Sequence, residues 1–451
     1  MAFGKLFGRK SASAPEAEHA DAGADEESAD APDESLVPEE DVSPDEMDRR
    51  WTDRALGVLP GGSSTGSKQP SGLYGRRPAA SPTHYVHAHG CTVTTAGGQS
   101  LIDLTMALGA VSLGYGDEAI TRAVLEALAN GQVSGLAHIS EVDVAERLCD
   151  VIPCAERVRF LKSGAEAVSA AVRIARVATG RPRVVCSGYF GWHDWSSEGG
   201  GIPSGATEDV VHVPFDDEGA LLAAVRGAGG DLACIVLEPV VERLPSREWL
   251  VTARDACDRA GAVLVFDELK TGFRLAAGGY QAVCEVTPDL AAFGKAMAGG
   301  LPVAAVVGKA GVMEAARKTW ISSTLAGEAG ALAAVAVVLD RYAELDVCAA
   351  LARTGAQIRS SCQHALAASG AAGVEVAGLD PMWFLRFEEP VVESRFLEHA
   401  AGAGLLVKRG PYNYAALAHD DEEVLLEIER RASTAFVDLV EALENEDGAE
   451  A

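Results

Sequence analysis

The sequence predicts an α/β protein with a mainly parallel large sheet covered on both faces. Short apolar runs at Arg183–Cys186, Leu232–Leu237 and Ala262–Phe266 are bounded by turn residues, as expected of strands buried on both sides. Val158–Leu161 is a further strand candidate, followed by a helical stretch with a small-residue face at Ala165–Thr179. A second helical period, at Arg247–Ala260, separates two of the apolar runs. It completes a strand–helix–strand crossover and directs function to the carboxyl ends of the strands.

In chain order, residues 1–46 read as a disordered acidic tail. Residues 1–50 hold 15 Asp/Glu against 5 Lys/Arg, and such a segment buries too little apolar surface to offset chain entropy. Order is expected from Met47–Leu59, where apolar residues recur at helical spacing, and Pro60–Ser67 reads as a long glycine-rich loop. Thr83–Thr105 alternates and turns, with Ala96-Gly97-Gly98-Gln99 as a hairpin turn. A helical period begins at Glu118.

Composition removes several function classes. The formal net charge of −28 opposes nucleic-acid binding. No apolar window approaches the roughly eighteen residues a membrane span needs, and the first ten residues lack a secretory apolar run. The nine cysteines are scattered, with no Cys-x-x-Cys. That pattern fits neither a disulfide framework nor a zinc site, so no metal is expected. It fits buried thiols in a cytoplasmic protein.

Three segments carry candidate chemistry. In Phe160-Leu161-Lys162-Ser163-Gly164-Ala165-Glu166, a strand passes through a Ser-Gly turn into a helix. Such an N-terminus is an anion site, although Ser163 also fits an ordinary N-cap. In Val265-Phe266-Asp267-Glu268, an acid ends an apolar strand. A buried carboxylate there wants a cationic partner, such as a protonated pyridine nitrogen; it also fits a structural acid at a loop edge. Glu238-Pro239 has the same form at the end of the preceding run. In Phe293-Gly294-Lys295-Ala296-Met297-Ala298-Gly299-Gly300, a lysine lies among Ala, Phe, Met and Gly with no adjacent acid. Apolar surroundings favour the free amine that Schiff-base chemistry needs, whereas the bland alternative is a surface lysine on a helix.

These segments resemble the class-III (subgroup II) aminotransferases, and within them the branch of glutamate-1-semialdehyde aminomutase. The resemblance is carried by Phe266-Asp267-Glu268-Leu269-Lys270-Thr271-Gly272-Phe273-Arg274, Gly278-Gly279, Thr287-Pro288-Asp289-Leu290 and Gly294-Lys295. It implies the PLP fold type I, similar to aspartate aminotransferase. The expected large domain, 111–335, has a mainly parallel seven-stranded sheet. The smaller α+β domain combines 47–110 with 336–445, and 446–451 is a disordered end.

The same resemblance implies a pyridoxal 5′-phosphate (PLP) cofactor bound covalently to Lys295, with Asp267 on its ring nitrogen. Ser163, Gly164 and Ala165 stand at its phosphate, where the family has Ser-Gly-Thr, and Tyr189 matches the aromatic that stacks on the ring. Glu238 and Lys270 are placed beside the cofactor. Thr324 matches a threonine that reaches the phosphate of the neighbouring subunit, which implies a homodimer.

Departures fall on the substrate wall. Lys68 stands where the aminomutase has a carboxylate-reading arginine, and the acid near that arginine is replaced around Pro411-Tyr412. Lysine lacks the bidentate fork. The expected activity is therefore ping-pong transamination between an amine donor and an aldehyde or ketone, on an aminosugar or another natural-product substrate. Lys68 and Tyr412 are its candidate substrate residues, and Arg243 and Arg409 are other cations that could read a carboxylate. The alternative is an isomerase of the same branch, an aminomutase or an epimerase.

Overall fold

The computed structural model describes residues 42–75 and 81–450, with side chains to 445. The expected tail lies almost wholly outside the described residues. Its inner boundary moves, because a helix begins at Pro44 and runs to Val58. Ser43 caps it by accepting the Glu46 N–H, and Pro44 occupies a first-turn position where its missing N–H costs nothing. At the other end the helix Glu422–Glu450 runs through the segment expected to be disordered. Once a long helix is nucleated, each further residue adds one hydrogen bond at little entropic cost.

Among the described residues fourteen strands follow in chain order: β1 (Tyr85–His89), β2 (Thr92–Thr95), β3 (Ser100–Asp103), β4 (Arg157–Leu161), β5 (Arg183–Ser187), β6 (Val210–His212), β7 (Leu232–Leu237), β8 (Val263–Asp267), β9 (Leu290–Phe293), β10 (Ala304–Gly308), β11 (Val374–Leu379), β12 (Met382–Phe387), β13 (Leu405–Leu406) and β14 (Asn413–Tyr414). The seven-stranded sheet has the order β4-β10-β9-β8-β7-β5-β6. From β9 to β6 every neighbour is parallel, whereas β10 runs antiparallel to both β9 and β4. Six strands therefore deliver their carboxyl ends to one edge. The reversed strand arises because the chain turns straight back through Gly299 and Gly300, without a crossover helix.

Every residue of β7, β8, β9 and β10 is buried. Side chains alternate between two apolar layers: Leu264 and Phe266 face one, Val263 and Val265 the other. Two smaller sheets complete the molecule. In one, β13 pairs in parallel with β3, so both chain ends share the sheet β1-β2-β3-β13; the other is β11-β12-β14. The helix Ala329–Glu344 runs across the expected boundary at 335/336. All nine cysteines are free, and no helix among the described residues is long and apolar enough to cross a membrane.

Candidate active site

The carboxyl edge gathers the candidate residues from five strand ends: Ser163 after β4, Tyr189 after β5, Glu238 after β7, Asp267 on β8 and Lys295 after β9. Lys295 opens a short turn with φ 47°, in the left-handed region that side chains avoid. Gly294 before it has no room for a side chain, since a Cβ would lie 2.8 Å from Leu269. Burial depresses the Lys295 amine. Asp267 and Glu238 oppose the shift, while Lys270 and Arg274 add to it.

Asp267 is buried, and its carboxylate accepts one hydrogen bond among the described residues, from the Leu269 N–H at 3.0 Å. Burial, with Glu238 nearby, pushes its pKa up to about 7. A cation set against this oxygen pair would draw it back down. A neighbouring acid of the same motif does something else. Glu268 is wholly buried and accepts from Thr271 Oγ1 and from the N–H groups of Tyr280 and Gln281, so it is a structural clasp.

Glu238 links three parts of the edge. One oxygen accepts the Tyr189 N–H at 2.9 Å, and the other lies 2.8 Å from Lys270 Nζ. Gly188 packs on this carboxylate, where a Cβ would meet the Glu238 side chain at 2.7 Å. Tyr412 sits against Lys270, which is 3.4 Å from its hydroxyl and 4.6 Å from its ring centre. Tyr189 itself is exposed.

At the Ser163 turn the structure shows the N-cap. Ser163 is the N-cap of Gly164–Thr179 in a capping box with Glu166, whose carboxylate also takes the N–H of Lys162 and Ser163. The N–H groups of Gly164 and Ala165 have no acceptor among the described residues, and they are the pair left for an anion. Gly191 presses on Ala165, where a Cβ would meet the Ala165 Cβ at 2.5 Å.

Two other candidates lie in separate clefts. Thr324 is exposed in a cleft of about 420 Å³ with Gln132, Ser134, His138, Ser322 and Ser323. Lys68 is exposed on a short turn and lines a mostly apolar cleft of about 140 Å³ with Tyr85, Ala107, Leu108, Tyr115 and Lys408. The two other cations considered for a carboxylate are already engaged: Arg243 with Asp216, and Arg409 with Glu393 at 3.2 Å.

Two features escaped the sequence reading. Met106, Ala107, Leu108 and Gly109 all have positive φ, an unusual left-handed turn beside the Lys68 cleft. Arg274 braces it from behind, donating to the carbonyls of Gly109, Pro381 and Ala415 while lying over the Tyr414 ring. The only sequence signal for this brace was the position of Arg274 at the end of the Asp267-Glu268 motif.

A reversed-strand α/β sheet with a depressed lysine and a buried acid on its carboxyl edge defines a fold-type-I PLP enzyme scaffold. The chain belongs to the class-III aminotransferase family, whose sequence signature matches residues 74–193 and 207–417. It is 37% identical over 278 residues to a glutamate-1-semialdehyde 2,1-aminomutase of Methanothermobacter thermautotrophicus, a match spanning 58% of this chain and 64% of that one, just under two thirds. It is 34% identical to the 3-aminobutyryl-CoA aminotransferase of Cloacimonas acidaminovorans, over 68% of this chain and 76% of that one. To the 2′-deamino-2′-hydroxyneamine transaminase of Streptomyces kanamyceticus it is also 34% identical, over 68% and 78%. Among solved structures it is similar to the PLP internal aldimine form of the Sphingopyxis sp. MTA144 FumI protein, with a TM-score of 0.83, 25% identity and coverage of 88% and 97%. An omega-transaminase from Sphaerobacter thermophilus matches with a TM-score of 0.76, 25% identity and coverage of 86% and 97%.

Proposed function

We propose that the chain is a PLP-dependent aminotransferase that moves an amino group from an amine donor to an aldehyde or ketone by ping-pong transamination. The observation that carries this reading is the delivery of Lys295 and Asp267, from adjacent parallel strands, to one buried edge. PLP supplies an electron sink when bound.

Lys295 would hold the cofactor covalently, and its free amine would move a proton between the substrate carbon and the cofactor. A depressed pKa suits both tasks. Asp267 would keep a proton on the ring nitrogen. The N–H groups of Gly164 and Ala165 would hold the phosphate, with Ser163 fixing their helix end. Tyr189 would cover the ring, with Glu238 and Lys270 beside it.

Thr324 serves the neighbouring active site in a homodimer. Exposed Leu136, Ile139, Trp320 and Leu325 near its cleft support such a partner surface. Lys68 and Tyr412 face the substrate. An aminosugar substrate is supported by the likeness to the neamine transaminase, and by Arg243 and Arg409 being occupied with protein carboxylates. Likeness to the semialdehyde aminomutases favours a second reading, an isomerase that returns the amine to the same molecule.

The deciding experiment is mass spectrometry of products from candidate amines, with and without an added keto acid. Amine exchange that requires the keto acid supports the transferase. Rearrangement without it replaces that reading by the isomerase. Borohydride reduction followed by peptide mapping should place the cofactor on Lys295, and a label on Lys270 would overturn the assignment.

A further inference from the structure

Lys270 brings a buried positive charge to the edge that holds Lys295. Its side chain is only 12% exposed, and it is fixed from two sides. Glu238 Oε1 lies 2.8 Å from its Nζ, while the Tyr412 hydroxyl and ring lie against it at 3.4 and 4.6 Å. Both anchors are themselves tied down. The second Glu238 oxygen accepts the Tyr189 N–H at 2.9 Å, and the Tyr412 hydroxyl accepts the Glu242 N–H at 2.7 Å. The ammonium is thus a fixed charge and not a mobile one.

We propose that Lys270, clamped between Glu238 and Tyr412, is a positioning residue whose fixed charge sets the proton affinity of the Lys295 nitrogen. The proposal rests on the reading that Lys295 carries PLP. A cation beside an amine or imine disfavours a second positive charge there. The protonation of that nitrogen decides the pH range in which it can exchange a proton with the substrate carbon.

The groups facing Lys295 are Asp267 on β8, Lys270 and Arg274 on the segment after it, and Glu238 after β7. Asp267 and Ala292 are register partners on the adjacent parallel strands β8 and β9, and Lys270 and Lys295 each follow their own partner by three residues, so both leave the same edge side by side. Burial works against the charge on Lys270, but Glu238, with Tyr412 and Tyr414, outweighs it and holds its pKa above the ordinary lysine value. Lys270 therefore stays charged while the Lys295 nitrogen titrates.

The test is an absorbance titration of the PLP-loaded full-length protein, following the lysine-bound chromophore from acid to alkaline pH. Lys270→Met and Lys270→Gln should each raise the midpoint by about one pH unit, a tenfold tighter hold on the proton. Lys270→Arg, which keeps the charge, should stay close to wild type. An unmoved or lowered midpoint in the Met and Gln variants overturns the proposal, as does an Arg variant that shifts with them. A wild-type protein showing no chromophore on Lys295 would instead sink the underlying cofactor assignment.

Discussion

At the carboxyl edge, Asp267 and Glu238 end strands in which every residue is buried. In the cleft beside β1, by contrast, Lys68 stands exposed on a short turn between loops. The edge side chains are fixed by a wall of sheet and by one another: Glu238 holds Tyr189 and Lys270, and Gly188 leaves room for the Glu238 side chain. Among the described residues no ion pair or side-chain hydrogen bond holds the cleft cation. Rigid strand ends suit groups that take part in a reaction, and outer segments that can change without disturbing the sheet suit groups that choose among substrates.

This contrast breaks most sharply at Lys295. Lys295→Ala should abolish turnover with the fold intact, as read by product assay and circular dichroism; surviving turnover would remove the edge from the chemistry. Asp267→Asn should lower kcat by about 10²–10³. The amide oxygen can still accept the Leu269 N–H, so the melting temperature should hold; near-normal kcat would reduce Asp267 to a structural acid.

A third expectation concerns what lies behind the Lys68 cleft. His419 is wholly buried, accepts the Ala416 N–H and reaches the Asp103 carbonyl, and burial depresses its pKa to about 4. The unfolded chain takes up the proton first, below about pH 6.5, so this residue's stability contribution is intact above that pH. It is lost as pH falls towards 4, by about 3 kcal/mol in all. Denaturant unfolding of His419→Gln should show a flatter loss over that window than wild type; parallel curves would contradict it. The smallest effect is expected at Lys68. Lys68→Arg should raise kcat/KM for an acidic substrate by at most about tenfold, and a larger gain would mean that the cleft commands the reaction as strongly as the edge does.

The legibility of the two regions differed in the same way. The strands at 158–161, 183–186, 232–237 and 262–266 could be read because apolar runs bounded by turns have few other uses. Ser163, at a Ser-Gly turn before a helical stretch, could be read as an N-cap. Strand direction was not readable: β10 is as apolar as its neighbours, and apolarity says nothing about which way a chain runs. The clamp on Lys270 joins residues 238, 270 and 412, and pairings at such separation leave no local pattern. The left-handed turn at Met106–Gly109 was invisible for another reason. Three of its four residues are types that avoid that conformation, and only tertiary contacts such as the Arg274 brace impose it.

The reversal of β10 has a consequence for timing. Lys295 sits in a short connection whose two flanks, β9 and β10, are hydrogen-bonded neighbours in the middle of the sheet and entirely buried. The backbone beneath the amine is therefore anchored at both ends. Its nitrogen can then move only by rotation about side-chain bonds, not by the microsecond-to-second excursions of a lid.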